Sequence, residues 1–329
     1  MSESLSSALA SRQKRMTGTE HADQDNAVRS GIWFEDGSII LQASNTQFRV
    51  HKGLLSRNSS FFRDMFTVPQ PENEPMVEGC AIVHVADDPE DWRYVLEILY
   101  DNVKAYKSIH TVSFPMLASM LRLGGKYEFE HLREAAMERL KGDLPVTLDS
   151  WDNQFNADSI RKRPLSYHIF DLINLLSELG ILSLLPVAYY TCLVQYNLDH
   201  ILRGQKAPNG TLHDLPLEAK ISLALGREAL LKAITHPSEW FMGCGLEGCS
   251  KPVSCTSARI HCLSVVIEHW EKVLVFFPLT WVALHDHRTT FCATCAQNVA
   301  KEIEVSRKKI WEELPGYFRL PKWDDLKDN

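Results

Sequence analysis

Alternating apolar and polar residues mark three short strands in the first third of the chain. Residues 38–43 (SIILQA) and 46–51 (TQFRVH) are two β-rich runs, and Phe48 and Val50 alternate with polar neighbours on the second run. This pattern predicts a hairpin. A third β-rich run, residues 81–87 (AIVHVAD), follows the polar segment 67–79 (TVPQPENEPMVEG). The sequence therefore predicts a three-stranded sheet.

Helical spacing of apolar residues surrounds and follows these strands. Residues 52–66 (KGLLSRNSSFFRDMF) predict two short helices with a break near Asn58. Further on, Asp88 is a favourable N-cap residue, and Pro89 suits the first helical position. Three longer helices are predicted from apolar stripes, which comprise Trp92, Val95, Leu96 and Leu99, then Phe114, Leu117, Ala118 and Leu121, and finally Leu132, Ala135, Ala136 and Leu140. A few strands in a mostly helical block predict an α+β fold.

Beyond Pro145 the apolar spacing is helical only. Ile221, Leu225 and Leu230 are core candidates of one amphipathic helix, and residues 301–313 predict a later, charged helix that Pro315 and Gly316 end. The N-terminus is Ser-rich and has no aromatic residues, which predicts a flexible tail. The predicted order is a disordered tail at 1–28, an α+β domain at 29–143, a polar linker at 144–163, a helical region at 164–240 and a Cys-rich, helical C-terminal region at 241–329.

Composition and charge narrow the class of protein. Hydrophobic residues at 45% and charged residues at 23% are typical of a globular protein that is not disordered. A formal charge of −7 makes nucleic acid an unfavourable partner, because binding to phosphates needs a basic field. The longest apolar run, residues 273–284, is shorter than the roughly 20 residues that span a bilayer, and the N-terminus lacks the apolar core of a secretory signal. We therefore expect no membrane segment and a location inside the cell, in the nucleus or the cytoplasm.

Cysteines carry the strongest chemical signal. Six of the eight lie between residues 244 and 295, and Cys292 and Cys295 form a C-x-x-C pair whose spacing suits one tetrahedral metal ion. The sequence predicts one structural zinc, a zinc knuckle, held by Cys292, Cys295 and two of Cys244, Cys249 and Cys255. His285 and His287 are weaker substitutes as ligands, and a set of buried free thiols is the alternative.

Catalytic and nucleotide-binding interpretations find less support. Gly243, Gly245 and Gly248 have the spacing G-x-G-x-x-G, but no strand precedes them and no helix suited to a pyrophosphate follows. The chain contains no H-E-x-x-H, G-x-S-x-G or Walker A motif. His51 follows a strand residue and is predicted to be a structural group. We therefore assign no catalytic or cofactor-binding residue and expect that the protein is not an enzyme.

The first third of the chain resembles a known family. Residues 48–66 fit F-x-V-H-K-x-x-L-x-x-x-S-x-F-F-x-x-M-F, the signature of BTB/POZ domains, and residues 121–140 (LRLGGKYEFEHLREAAMERL) are similar to the last two helices of that family. The resemblance covers residues 29–143. Residues 78–92 (EGCAIVHVADDPEDW) and the tail 311–323 (WEELPGYFRLPKW) resemble BTB proteins that are numerous in mushroom-forming, basidiomycete fungi.

This resemblance implies a module for protein–protein interaction. BTB domains commonly dimerise through a face built from the first strand and the first helix, and some recruit cullin scaffolds of ubiquitin ligases. In those adaptors a hydrophobic-x-Glu motif precedes the third strand, and Met76, Val77 and Glu78 match it by position. An ordinary solvated loop is the alternative for these three residues.

The sequence thus predicts a scaffold. Its BTB domain would pair with itself or with another BTB protein, and its C-terminal region would bind an unknown partner. The alternative is a substrate adaptor of a cullin-type ubiquitin ligase. A transcriptional regulator is less favoured, because an acidic chain lacks a basic face for DNA.

Overall fold

The structure is a computed structural model that describes residues 27–69, 76–100, 112–154, 168–207, 209–235, 248–268 and 291–328. The chain divides into two units, residues 1–139 and residues 140–329. Across these ranges no helix combines the length and the apolar character that crossing a membrane requires. The apolar run 273–284 lies outside the described residues.

The first unit contains a mixed sheet with the strand order β1-β3-β2-β5-β4 in its described part. Strand β2 is antiparallel to β3 and parallel to β5, β1 runs parallel to β3, and β4 is antiparallel to β5. The strands are β1 (Val28–Trp33), β2 (Ile39–Ala43), β3 (Thr46–Val50), β4 (Met76–Val77) and β5 (Cys80–Val85). The three predicted strands are confirmed as β2, β3 and β5, but the predicted three-stranded sheet is wrong because β1 and β4 extend it to five strands.

Strand β2 is buried on both faces at the centre of this sheet. Ile39, Leu41 and Ala43 are inaccessible to solvent on one side, and Ile40 packs with Cys80 and Ile82 on the other. Gln42 is buried as well, and its side-chain oxygen accepts a hydrogen bond of 2.9 Å from Gln47 Nε2 on β3. This pairing satisfies two buried amides that would otherwise destabilise the centre of the sheet.

Helices of the first unit meet in an aromatic cluster. Ser59 separates the two short helices, close to the break predicted near Asn58. Its hydroxyl accepts a hydrogen bond from the Phe62 amide (3.0 Å) and donates one to the Tyr127 carbonyl (2.6 Å). Phe62 and Tyr127 stack at 5.5 Å, and Trp92 lies 4.9 Å from Tyr127. The helices are α1 (Lys52–Asn58), α2 (Ser60–Met65), α3 (Pro89–Tyr100), α4 (Phe114–Lys126) and α5 (Glu130–Asp143), the last of which contains the boundary between the units.

The second unit is mostly helical. Its elements are α6 (Leu148–Gln154), α7 (Ile169–Glu178), α8 (Leu185–Gln195), α9 (Leu198–Arg203), β6 (Gln205–Lys206), β7 (Leu212–His213), α10 (Leu217–Thr235), α11 (Pro252–Glu268), α12 (Ala293–Tyr317) and a short 3₁₀ turn (Trp323–Asp325). Strands β6 and β7 form a small antiparallel hairpin that the sequence did not predict. Ile221, a predicted core residue of α10, is exposed, whereas Leu230 is fully buried.

Helix α6 lies within the predicted polar linker 144–163. Trp151 of this helix is only 4% exposed, and its ring lies 5.4 Å from that of Tyr190 on α8. Asp152 forms an ion pair with Arg307 of α12, a side chain that is itself buried. Residues 148–154 are therefore part of the folded second unit, while 155–163 lie outside the described residues.

Helix α12 continues through Pro315, beyond the end predicted at residue 313. A proline inside a helix cannot donate to the carbonyl four residues earlier, here that of Trp311. The indole Nε1 of Trp323 donates a hydrogen bond of 2.8 Å to this carbonyl, and the two indole rings stack at 5.6 Å. The residues after the helix thus supply the bond that the proline removes.

The segment after α12 packs against other helices of the second unit. Phe318 is buried beside Tyr189 of α8, and it approaches Gly226 of α10 so closely that no Cβ could fit there. Asp328 accepts hydrogen bonds from the amide (2.9 Å) and the hydroxyl (2.7 Å) of Ser183. The C-terminal segment is therefore an integral part of this unit.

Candidate metal centre and interaction surface

Four cysteines converge in the second unit. Their Sγ atoms all lie within 4.8 Å of one another, and the residues are Cys249, Cys255, Cys292 and Cys295. Cys255 lies in the first turn of α11, Cys292 is the N-cap residue of α12, and Cys295 lies in its first turn. The structure therefore brings together four of the five predicted ligands, which we call the cysteine cluster.

The remaining predicted ligand, Cys244, lies outside the described residues, as do the weaker substitutes His285 and His287. The four described cysteines can fill a tetrahedral site without them. Their arrangement thus favours the pair Cys249 and Cys255 as the partners of Cys292 and Cys295.

Distances in the cysteine cluster suit a zinc ion. Four thiolates at about 2.3 Å from a central ion lie about 3.8 Å from one another in a tetrahedron. The Sγ atoms of Cys249 and Cys292 are 3.8 Å apart, and all four residues are free thiols rather than disulfides. Three of the four are buried, and Cys249 is half-buried. The donor set is the one that structural zinc sites use.

Local backbone structure positions the sulfurs. Gly248 has a φ of 75°, which allows a tight turn directly before Cys249. The amide of Cys292 donates a hydrogen bond of 3.2 Å to Cys255 Sγ. Around the sulfurs lies a small apolar core that contains Ala258, Phe291 and Val299. This core limits the access of water, which strengthens electrostatic interactions between the sulfurs and a cation.

The thiols of the cluster have unlike electrostatic environments. Backbone amides of Cys295 and Ser250 hold the pKa of Cys292 well below its usual range, whereas burial raises the pKa of Cys255 and of Cys295. The sulfurs of the cluster therefore differ in how readily each loses its proton. A zinc ion would displace the remaining protons, so its binding weakens as the pH falls.

Arg259 of α11 is a member of this site that sequence reasoning missed. Its side chain is 9% exposed, and its Nη2 lies 3.9 Å from Cys295 Sγ. Zinc with four thiolates has a formal charge of −2, which a buried guanidinium partly compensates. The sequence signal for its role was the position of this arginine one turn after Cys255 on the same helix.

The predicted partner-binding residues lie at the edge of the sheet in the first unit. Met76 and Val77 form β4 and pair with Ala81 and Cys80, so the motif is not in an open loop. Met76 is 66% exposed. Glu78 begins a two-residue turn, and its carboxylate forms ion pairs with Arg29 and Arg49. The hydrophobic member of the motif is therefore accessible, while the Glu side chain is held by arginines of its own unit.

His51 makes several polar contacts within the first unit. Its Nδ1 lies 2.8 Å from the hydroxyl of Tyr100, and its Nε2 lies 3.2 Å from Asp36 Oδ1. The Tyr100 hydroxyl also accepts a hydrogen bond of 2.9 Å from the His51 amide. Both ring nitrogens are thus engaged within the domain.

Comparison with known proteins detects one family domain. A model of the BTB/POZ domain family matches residues 35–144. BTB/POZ domains are in general modules for protein–protein interaction. Searches of curated proteins and of solved structures give no match to this chain. The narrower resemblance to proteins of mushroom-forming fungi gains no support from them and stays a prediction.

We predict that the purified full-length chain binds about one zinc ion and that Cys255→Ser or Cys295→Ser removes most of it, because three thiolates leave the tetrahedron incomplete. Elemental analysis by mass spectrometry measures the content. A chelator should lower the melting temperature of the wild-type chain, since a structural zinc contributes free energy to folding.

Two cysteine variants serve as controls for this prediction. Cys80→Ser lies in the first unit, where a hydroxyl can keep the bond that the thiol donates to the Gly37 carbonyl (3.1 Å), so zinc content should not change. Cys244→Ser should also retain zinc. A wild-type chain with less than about half an equivalent of zinc and a melting temperature insensitive to chelator would identify the cluster as free thiols.

A second prediction concerns Arg259. Arg259→Met keeps an apolar stem but removes the charge beside Cys295, so we expect the zinc dissociation constant to rise about tenfold. Arg259→Lys should retain most of the affinity. Competition with a chromogenic chelator measures both constants, and equal constants for wild type and Arg259→Met would exclude this role.

Proposed function

We propose that this protein is a scaffold for protein–protein interaction. It self-associates through its BTB/POZ domain, and it binds a further protein through its helical C-terminal region, which a zinc ion at the cysteine cluster stabilises. The match of residues 35–144 to the BTB/POZ family carries this proposal. The exposed edges of the sheet and the convergence of four thiols support its two parts.

Self-association gains support from the edges of the sheet. Strand β1 pairs only with β3 in the described part of the first unit, and β1 is an edge strand of the sheet. An edge strand presents unpaired backbone groups that a second chain can bind. Val28 on β1 is 58% exposed, so an apolar side chain accompanies these backbone groups. Both features suit an interface with a second copy of the domain.

Zinc has a structural role in this proposal. The apolar core around the cysteine cluster is small, with only six buried residues among those described, and three of the six are the cysteines themselves. Small cores of this kind often depend on a metal ion for their stability. The ion would join the start of α11 to the start of α12, the helix that carries Trp311 and the contacts of the C-terminal segment.

The proposal includes no catalytic step. His51 is engaged by Tyr100 and Asp36. The clustered thiols are assigned here to zinc binding, which their convergence supports. The formal charge of −7 favours a protein partner over a nucleic acid.

We predict that the full-length chain has the mass of a dimer in light scattering. Val28→Lys should shift the equilibrium toward monomer, because it places a charge at the edge of the sheet. Leu212→Lys is a matched control, since Leu212 is also about half exposed but lies in the second unit. A wild-type chain that stays monomeric at micromolar concentrations, or an equal effect of both variants, would contradict this interface.

The alternative function is that of a substrate adaptor for a cullin-type ubiquitin ligase. The exposure of Met76 on β4 favours it, because an accessible apolar side chain at a sheet edge is suited to a partner. The ion pairs of Glu78 with Arg29 and Arg49 weigh against a Glu side chain that is available to a partner.

For this alternative we predict that Met76→Asp abolishes the capture of a cullin scaffold in a pull-down. Met76 is preferable to Glu78 for the test, because replacing Glu78 would also break two ion pairs. Val68→Asp, another exposed apolar residue of the first unit, is the control and should not change capture. The adaptor role is excluded if the wild-type chain captures no cullin, and the motif is excluded if Met76→Asp captures as much as wild type.

A further inference from the structure

A polar cluster lies at the start of α7 in the second unit, away from the cysteine cluster. It is formed by His168, the N-cap residue of α7, by Asp171 in the first turn, by Tyr196 at the end of α8 and by His213 of β7. The imidazole rings of His168 and His213 stack with their centroids 4.1 Å apart and their planes only 4° from parallel. All three segments therefore meet at one histidine pair.

Hydrogen bonds determine where the protons of this pair lie. His168 Nδ1 accepts a bond of 3.3 Å from the amide of Phe170, which requires that Nδ1 carry no proton. His168 Nε2 then carries the proton and donates it to the hydroxyl of Tyr196 (3.1 Å). His213 Nδ1 donates to the carboxylate of Asp171, 2.8 Å from Oδ2. The cap of α7 thus depends on a neutral imidazole at His168.

A metal ion suits this geometry less well than a proton does. Donor atoms of His168, Asp171 and His213 lie within 4.8 Å of one another. However, the lone pair of an imidazole nitrogen lies in the plane of its ring, and the two planes here are almost parallel. Two such lone pairs cannot both be directed at one ion about 2.1 Å away without unstacking the rings.

We propose that His168 and His213 form a proton-controlled latch that fastens the start of α7 to the β6–β7 hairpin and to the end of α8. With His168 neutral, the latch is closed. A proton on His168 Nδ1 removes the acceptor for the Phe170 amide and places a positive charge at the N-terminus of the helix. There it faces the positive end of the helix dipole and the adjacent His213 ring, so the closed arrangement is destabilised.

The surroundings of His168 agree with this role. Burial is the main cause that lowers the pKa of His168, a positive charge on His213 adds to this effect, and Asp171 opposes it. Asp171 on α7 and Tyr196 at the end of α8 contact the pair. Cys192 of α8 and His200 of α9 act on Tyr196, and Asp214, which follows His213, is paired with Lys220 of α10. Asp171 is thus the one carboxylate in direct contact with the stacked rings among the described residues.

The sign of the pH effect follows from the lowered pKa of His168. An unfolded histidine has a pKa of about 6.5. A group whose pKa is lower in the folded state contributes its full stabilisation when the pH is above the pKa of the unfolded state. This contribution is lost as the pH falls through the pKa of the folded state. The latch therefore opens only when the pH falls below about 6.5, the pKa of an unfolded histidine.

The hairpin is one of the elements that the latch holds in place. Strands β6 and β7 contribute only two residues each to their ladder, and Leu212 on β7 is half exposed. Besides the histidine pair, Asn174 of α7 donates a bond of 2.8 Å to the carbonyl of Asp214 after the hairpin. Opening the latch would thus loosen the hairpin from α7 while the helices of the unit stay packed.

Hydrogen exchange of the full-length chain tests this proposal. Between about pH 7.5 and about pH 5.5, after correction for intrinsic exchange rates, we expect the protection of the Phe170 amide to fall about fivefold, the size of effect that the loss of an N-cap produces. His168→Asn should remove this pH dependence, because an asparagine oxygen can accept the same bond and does not titrate. His84→Asn, at an exposed histidine of the first unit, should behave as the wild type does.

Three outcomes would overturn the proposal. One is an equal loss of protection in the wild type and in His168→Asn. Another is a His168 ring that titrates in histidine NMR spectra of the wild type without a parallel change at Phe170. The third is protection of the Phe170 amide by added Zn²⁺ in the wild type but not in His168→Asn, which would identify a metal site instead of a proton latch.

Discussion

Buried backbone groups must find hydrogen-bond partners, and this requirement decides how the helices of the protein begin, break and end. Ser59 illustrates it in the first unit. The chain breaks between α1 and α2, and one hydroxyl both accepts from the Phe62 amide and donates to the Tyr127 carbonyl. The same contact ties the helical pair to the end of α4, beside the aromatic cluster. The hydroxyl that satisfies a local backbone amide thus also connects two parts of the fold.

The second unit solves the same problem with less common partners. The Trp311 carbonyl that Pro315 leaves without a donor is bonded by the indole of Trp323, so a residue beyond the helix completes it. The start of α12 has a sulfur as its partner, since the Cys292 amide donates to Cys255. The start of α7 has an imidazole, since the Phe170 amide donates to His168. The first two of these bonds join residues that are far apart along the chain, whereas His168 caps its own helix and connects it to α8 and β7 through Tyr196 and His213.

The elements that could be predicted from the sequence are those whose pattern lies within one short stretch of the chain. Strands β2, β3 and β5 were predictable because their apolar residues form β-rich runs of five or six positions. Strand β4 was not, because two residues carry no periodicity; its turn, Glu78 and Gly79 with φ of 50° and 74°, is a weak sequence signal without Asn or Asp. Helix α6 was missed because a single buried tryptophan, Trp151, stands in a polar stretch.

In the candidate sites, too, residues that are close in sequence could be predicted and residues brought together by the fold could not. Cys292 and Cys295 were predictable as a pair because their spacing is local. The choice of the other two ligands depends on how α11 lies against α12, which no spacing in the chain encodes, and Arg259 enters the site for the same reason. His168 and His213 are far apart in sequence, and neither is part of a motif, so only the fold places their rings together.

The hydrogen-bond partners at these helix ends differ in whether metal binding or protonation changes their capacity to form the bond. The hydroxyl of Ser59 and the indole of Trp323 keep their bonding capacity at any ordinary pH, so the connections that they make are permanent features of the fold. A cysteine sulfur becomes a stronger acceptor when it is a metal-bound thiolate, and an imidazole nitrogen ceases to accept when it is protonated. If the cysteine cluster holds zinc and the histidine latch acts as proposed, the starts of α12 and α7 respond to zinc and to protons, respectively. A scaffold whose partner surface includes either helix would bind in a manner that depends on those ligands, although the BTB/POZ domain contains neither.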